Sequence, residues 1–276
     1  MSGSRHVPHS FQSSNWRTRT PSTITDAASS ASAPAFAPPP PQTQALKALL
    51  APGPVRVYIT AEREDADASP DRPVFLQGVR YNSVDSRQWY DQVLPYLSEC
   101  TFVFASTGDV TYGGSILGSA MLQHIYNAVT KVELPKFYWF GGVALNQHHN
   151  PYLQMCRNLP NLRELSLTMH TASLTNQRWA ERQIIALQRN NPHAAKERIV
   201  VSLQDAVHRY ELDALFVCGG LRQFRLEYIE SAMTAHFCKV GNPMDVIKSV
   251  KAYLEHGFAQ NQMQVTVELA KVEEQA

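Results

Sequence analysis

Pro160-Asn161-Leu162-Arg163-Glu164-Leu165-Ser166-Leu167-Thr168-Met169 is the stretch whose reading decides the fold. Leu165 and Leu167 alternate with Glu164, Ser166 and Thr168, the period-2 pattern of a strand with one buried face. Pro160 and Asn161 punctuate its start. Two stretches echo it, Val129-Thr130-Lys131-Val132-Glu133-Leu134 and Gly220-Leu221-Arg222-Gln223-Phe224-Arg225-Leu226-Glu227-Tyr228, whose starts lie 32 and 59 positions from Asn161. Those intervals approximate one and two units of a strand-plus-helix repeat of ~20–45 residues. The expected fold is therefore α/β, an irregular leucine-rich-repeat-like parallel sheet with helices packed on it.

Outward from that stretch, composition separates a tail from a core. Residues 1–44 are rich in Ser, Thr, Ala and Pro, end in Pro38-Pro39-Pro40-Pro41, and hold few aliphatic side chains. Such a segment cannot offset its ordering entropy by burial, so it is expected to be a disordered Ser/Pro-rich tail. Its early arginines, Arg5, Arg17 and Arg19, precede the first acid, Asp26, as in an organellar transit peptide, but an amphipathic apolar face is missing. Residues 45–276 are expected to form a single α/β repeat-like domain. The chain is 44% apolar and 18% charged, enough for a sizeable core. Its 25 basic and 24 acidic residues set up no overall field toward nucleic acid or an anionic membrane.

Cys100, Cys156, Cys218 and Cys238 are far apart and form no C-x-x-C pair, which favours free thiols acting as small hydrophobes over a disulfide or metal site. With no apolar leader and no run of ~18 apolar residues, the reading is an intracellular protein, cytoplasmic or nuclear, ahead of a mitochondrial one.

Along the chain, Val55–Ile59 alternates as a first, edge strand. Asp85 and Gln88 resemble a capping box opening a helix through Trp89, Val93 and Leu97, in which Pro95 demands a kink or an end near Leu94. Thr101–Phe104 reads as a buried strand, and Leu117, Met121, Leu122, Ile125 and Val129 as one helix. Thr175 is placed to cap a helix carrying Trp179, Ile184 and Leu187, and Ser202 to cap the next. Asn242, Pro243 and Asp245 start a helix that Gly257 is expected to stop, and Gln264–Leu269 returns as a strand parallel to 221–228.

Arg87-Gln88-Trp89-Tyr90-Asp91-Gln92-Val93-Leu94-Pro95-Tyr96-Leu97 followed by Thr101-Phe102-Val103-Phe104 resembles the R-x-I-Y-x-E-A-L-P-L-(L/F)-Y…N-T-F-x-F stretch of a large group of uncharacterised fungal F-box-like proteins. Leu159–Leu167 is similar to their leucine-rich strand and Gly219–Phe224 to their last one, so the resemblance covers roughly 85–270. It implies the region that follows an F-box. The chain departs from the pattern in having no Leu-Pro-x-Glu-(Ile/Leu)-Arg helix before Arg87, the element that would hold a ubiquitin-ligase scaffold.

Chemistry-bearing residues are sparse. Thr107–Ser115 reads as a Gly-rich loop between strand and helix, where backbone N–H groups can hold a phosphate, but it lacks Gly-x-Gly-x-x-Gly and a Walker lysine. His148 and His149 are adjacent rather than spaced for one helix face, so no metal site is expected, and no cofactor. Phe137-Tyr138-Trp139-Phe140 places four aromatics too closely for all to be core. The leading expectation is a non-catalytic protein-interaction module without nucleic-acid or membrane partners. Its binding surface is drawn from Phe137, Tyr138, Trp139, Phe140, Arg163, Arg222, Arg225 and Glu227, beside Lys131, Glu133 and Glu164. The alternative is a small-molecule or phosphate-handling enzyme using 107–115.

Overall fold

A computed structural model of the chain describes residues 56–59, 86–117, 123–137 and 149–273, all within one compact unit. The expected tail over 1–44 lies outside them.

Six strands form a wholly parallel sheet: β1 (Arg56–Ile59), β2 (Thr101–Phe104), β3 (Lys131–Leu134), β4 (Glu164–His170), β7 (Gln223–Ile229) and β9 (Thr266–Lys271). Their spatial order follows their order in the chain. Parallel neighbours need crossovers, and those crossovers carry the helices. The register places Val57, Phe102, Val132, Leu165, Phe224 and Val267 in one row across the sheet. Every member of that row is buried. Leu134, Leu167 and Leu226 make a second buried row one pleat further on. The alternation of 164–169 thus has the expected phase, because a slip of one residue would have put both rows in water. The strands start 45, 30, 33, 59 and 43 residues apart, so no fixed period holds and the repeat character rests on the sequence echo alone.

Helix α1 runs over 86–99 and does not stop at Pro95. Its turn Trp89–Val93 is a π-helix. The widened turn ends directly before Leu94-Pro95, where the proline ring would press on the carbonyl four residues back and offers no N–H. Thr107–Leu117 is helix α2, not a loop. Gly113 faces the sheet there, since a Cβ on it would come 2.5 Å from the Phe104 ring. Gln123–Ala128 is helix α3, and Met121 and Leu122 of the helix expected through Leu117–Val129 lie outside the described residues.

Asn150 caps helix α4 (Pro151–Arg157), its side chain accepting from the Tyr152 and Leu153 N–H groups. Fully buried, it also donates from Nδ2 to the Tyr210 carbonyl, 2.9 Å away, and its own N–H meets the Glu211 carboxylate at 2.8 Å. Glu211 holds a left-handed conformation, φ 53°, just beyond the last residue of α7 (Leu203–Tyr210). Ser202 caps α7 as expected, accepting from the Asp205 N–H.

A smaller sheet joins β5 (Thr175–Gln177), β6 (Arg198–Val200) and β8 (Cys238–Val240). Thr175 therefore begins a strand rather than capping a helix. The helix expected after it, α5 (Glu181–Asn190), is entered from Ala180, and α6 (Pro192–Ala195) follows. Trp179 instead donates its indole N–H to the Ala194 carbonyl, 3.0 Å away. Helix α8 (Ala232–Phe237) leads into β8. Helix α9 (Pro243–Gln260) starts at Asn242 as expected but runs through Gly257. A Cβ at Gly257 would sit 2.0 Å from Cζ of Phe216, so this glycine makes room for a ring instead of ending the helix.

Candidate functional site

The residues that alternate with the buried rows form the other face of the sheet. Arg56, Thr101, Lys131, Glu164, Gln223 and Thr266 make its first row, and Tyr58, Val103, Glu133, Ser166, Arg225 and Glu268 its second. Thr168 and Glu227 begin a third. This face holds a groove of about 150 Å³ lined by Thr101, Lys131, Glu133, Glu164, Ser166, Gln223, Arg225 and Glu227 together with Val132 and Leu165.

Charges on the face are matched in pairs. Arg56 on β1 reaches the Glu133 carboxylate on β3 across the intervening strand. That hydrogen bond raises the Arg56 pKa further above its already high value. Lys131 lies 3.6 Å from Glu164 and Arg225 3.1 Å from Glu227. The Thr168 hydroxyl donates to Glu227 at 2.8 Å, and the Gln223 amide donates to Glu268 at 3.4 Å. Exposed pairs of this kind contribute little stability, about 0–1 kcal/mol each. Their effect is to leave a polar, nearly neutral surface studded with donors and acceptors. Ser166 sits near its centre, half-buried.

Of the residues named from sequence, Arg225 and Glu227 line the groove, as do Lys131, Glu133 and Glu164. Arg163 and Arg222 do not. Each lies one residue before its strand, out of phase with the polar face, because adjacent residues of a strand point to opposite sides. Phe137 is 1% exposed and packs between the Tyr152 and Tyr210 rings, at 5.4 and 5.5 Å, so it is core and not contact surface. Tyr138, Trp139 and Phe140 lie outside the described residues. Thr101, Ser166 and Gln223 are groove residues that sequence reasoning does not find. Uncharged side chains carry no signal of their own, and only the register places them beside the charged ones.

The helical 107–115 removes the premise of a phosphate-cradling loop. The N–H of Asp109 is already met by the Ser106 hydroxyl at 3.1 Å. Cys100, Cys156 and Cys218 are buried and Cys238 is partly buried, and none of the four forms a disulfide. Burial pushes the Cys218 thiol up to about 11, and Cys156 higher still. Among the described residues no His, Cys, Asp or Glu cluster could hold a metal, and no helix is long and apolar enough to cross a membrane.

No protein-family model matches the chain, and neither a curated protein nor a solved structure matches it.

Proposed function

We propose that the chain is a non-catalytic protein-interaction module that binds its partner on the polar face of the six-stranded sheet. One observation carries this reading. Across the central strands the side chains facing away from the core pair their charges with one another around a groove. Such a surface offers many hydrogen-bonding groups at low desolvation cost, the character of the polar part of a protein interface. Parallel strands that repeat one face side by side are also where repeat-built proteins commonly bind. The resemblance to the post-F-box region of fungal F-box-like proteins agrees with a substrate- or partner-holding role. A ubiquitin-ligase scaffold would then have to be reached without the missing helix.

The test replaces Ser166 by Trp, filling the groove from a half-exposed position, and compares capture of proteins from the native host by wild-type and variant chains. A solvent-facing change on α9, Lys248→Glu, is the control. Ser166→Trp should lose specific partners at unchanged melting temperature while the control keeps them. Equal capture by both variants would move the interface off this face.

A further inference from the structure

The groove neutralises its own cations, but the strand-entry end of the same sheet does not. Arg163 and Arg222 stand immediately before β4 and β7, whose first residues, Glu164 and Gln223, are register partners. The Arg163 carbonyl accepts both the Arg222 N–H, at 2.8 Å, and the Gln223 N–H, at 3.0 Å, which fixes the two arginines as neighbours on adjacent strands. Both are exposed. Gly220 holds this loop close to its neighbour, since a Cβ there would lie 2.9 Å from the Leu162 carbonyl oxygen.

Like charges side by side on adjacent strands repel. Among the described residues no ion pair relieves either arginine, and the one side-chain bond of Arg222 runs to the carbonyl of its own neighbour Leu221, at 3.1 Å. Glu164, the closest carboxylate along the chain, pairs with Lys131 on the polar face.

From this unneutralised pair on neighbouring strands we infer that Arg163 and Arg222 form a subsite for a phosphomonoester dianion carried by a polypeptide partner. A phosphomonoester at neutral pH carries ~1.5–2 negative charges, matching two guanidinium groups where a carboxylate matches one. Guanidinium groups also bind its oxygens through paired N–H donors. The polypeptide source rests on the interaction reading above, because the subsite adjoins the strands that line the groove.

The experiment titrates the full chain with inorganic phosphate and then with a phosphoserine-containing peptide, following the arginine side-chain N–H signals by NMR. Phosphate should shift the Arg163 and Arg222 signals, and the peptide should do so at lower concentration than phosphate. Arg163→Gln and Arg222→Gln should each weaken binding about tenfold or more, one charge-assisted bond being lost. Without anion, the variants should melt no lower than wild type, since a repulsion has been removed, and added phosphate should no longer raise their melting temperature. Absence of any phosphate response, or a response unchanged in the double variant, overturns the subsite. Tighter binding of a short single-stranded oligonucleotide than of the phosphopeptide overturns the polypeptide source. Ser166→Trp separates the two readings: it should leave phosphate binding intact even where partner capture is lost.

Discussion

Gly257→Ala inverts the usual expectation for a glycine inside a helix. Alanine in a helix interior is favoured over glycine by about 1 kcal/mol, so at an open position the change stabilises. At Gly257 the added methyl would lie 2.0 Å from Phe216 Cζ and 2.4 Å from Cε1, where carbon atoms rest at about 3.5–4.0 Å. The ring must withdraw. It is held edge-on to Phe258, with centroids 5.3 Å apart, and tilted against Tyr253 at 5.8 Å. Each aromatic pair is worth about 0.5–1.5 kcal/mol beyond area burial. Loss of both, set against the propensity gain, leaves Gly257→Ala destabilising by about 1 kcal/mol. The assay is urea unfolding of wild type, Gly257→Ala, Phe216→Ala and the double variant, with m-values compared to confirm a common transition. In the Phe216→Ala background the three atoms nearest the added methyl are gone and the change should stabilise, so the cycle should show a coupling of about 2 kcal/mol. A stabilising Gly257→Ala in the wild-type background, or the same shift in both backgrounds, would refute the ring contact.

Leu165→Ala should cost about 2–5 kcal/mol by the same assay, because the side chain is 2% exposed between Val132 and Phe224, whereas Ser166→Ala should be close to silent. Asn150→Ala should cost about 2–3 kcal/mol, removing a helix cap and stranding the Tyr210 carbonyl, with circular dichroism melts as the check. Tyr253 is raised from 10.0 to about 12 by burial first and then by its hydrogen bond to Asp213. A folded pKa above the unfolded one means the neutral form is favoured by folding, so this contribution is complete below pH 10.0 and is lost as pH rises through about 12. Tyr253→Phe should flatten that alkaline loss, read from melting temperature against pH.

Local alternation makes the central strands legible from the amino-acid sequence alone. Leu165 and Leu167, Val132 and Leu134, and Phe224 and Leu226 each repeat at two residues, and the pleat turns that period into a buried row whatever the rest of the chain does. Helix caps are legible for the same reason: Ser202 and Asn242 act on N–H groups two or three residues away. Features that depend on distant partners are misread locally. Gly257 resembles a helix stop until Phe216 lies against it, and Thr107–Ser115 resembles a loop until Gly113 is needed against Phe104. Thr175 resembles a cap until β6 pairs with it. Phe137 belongs to an exposed-looking aromatic run, yet Tyr152 and Tyr210 enclose it. The candidate site divides along the same line. Sequence marks the charged members Arg225 and Glu227, since alternation alone sends them away from the core. Only the register across β2, β3, β4 and β7 gathers Thr101, Ser166 and Gln223 around them and sets Arg163 beside Arg222, because side-by-side placement of strands distant in sequence comes from hydrogen bonding between strands and not from any pattern within one.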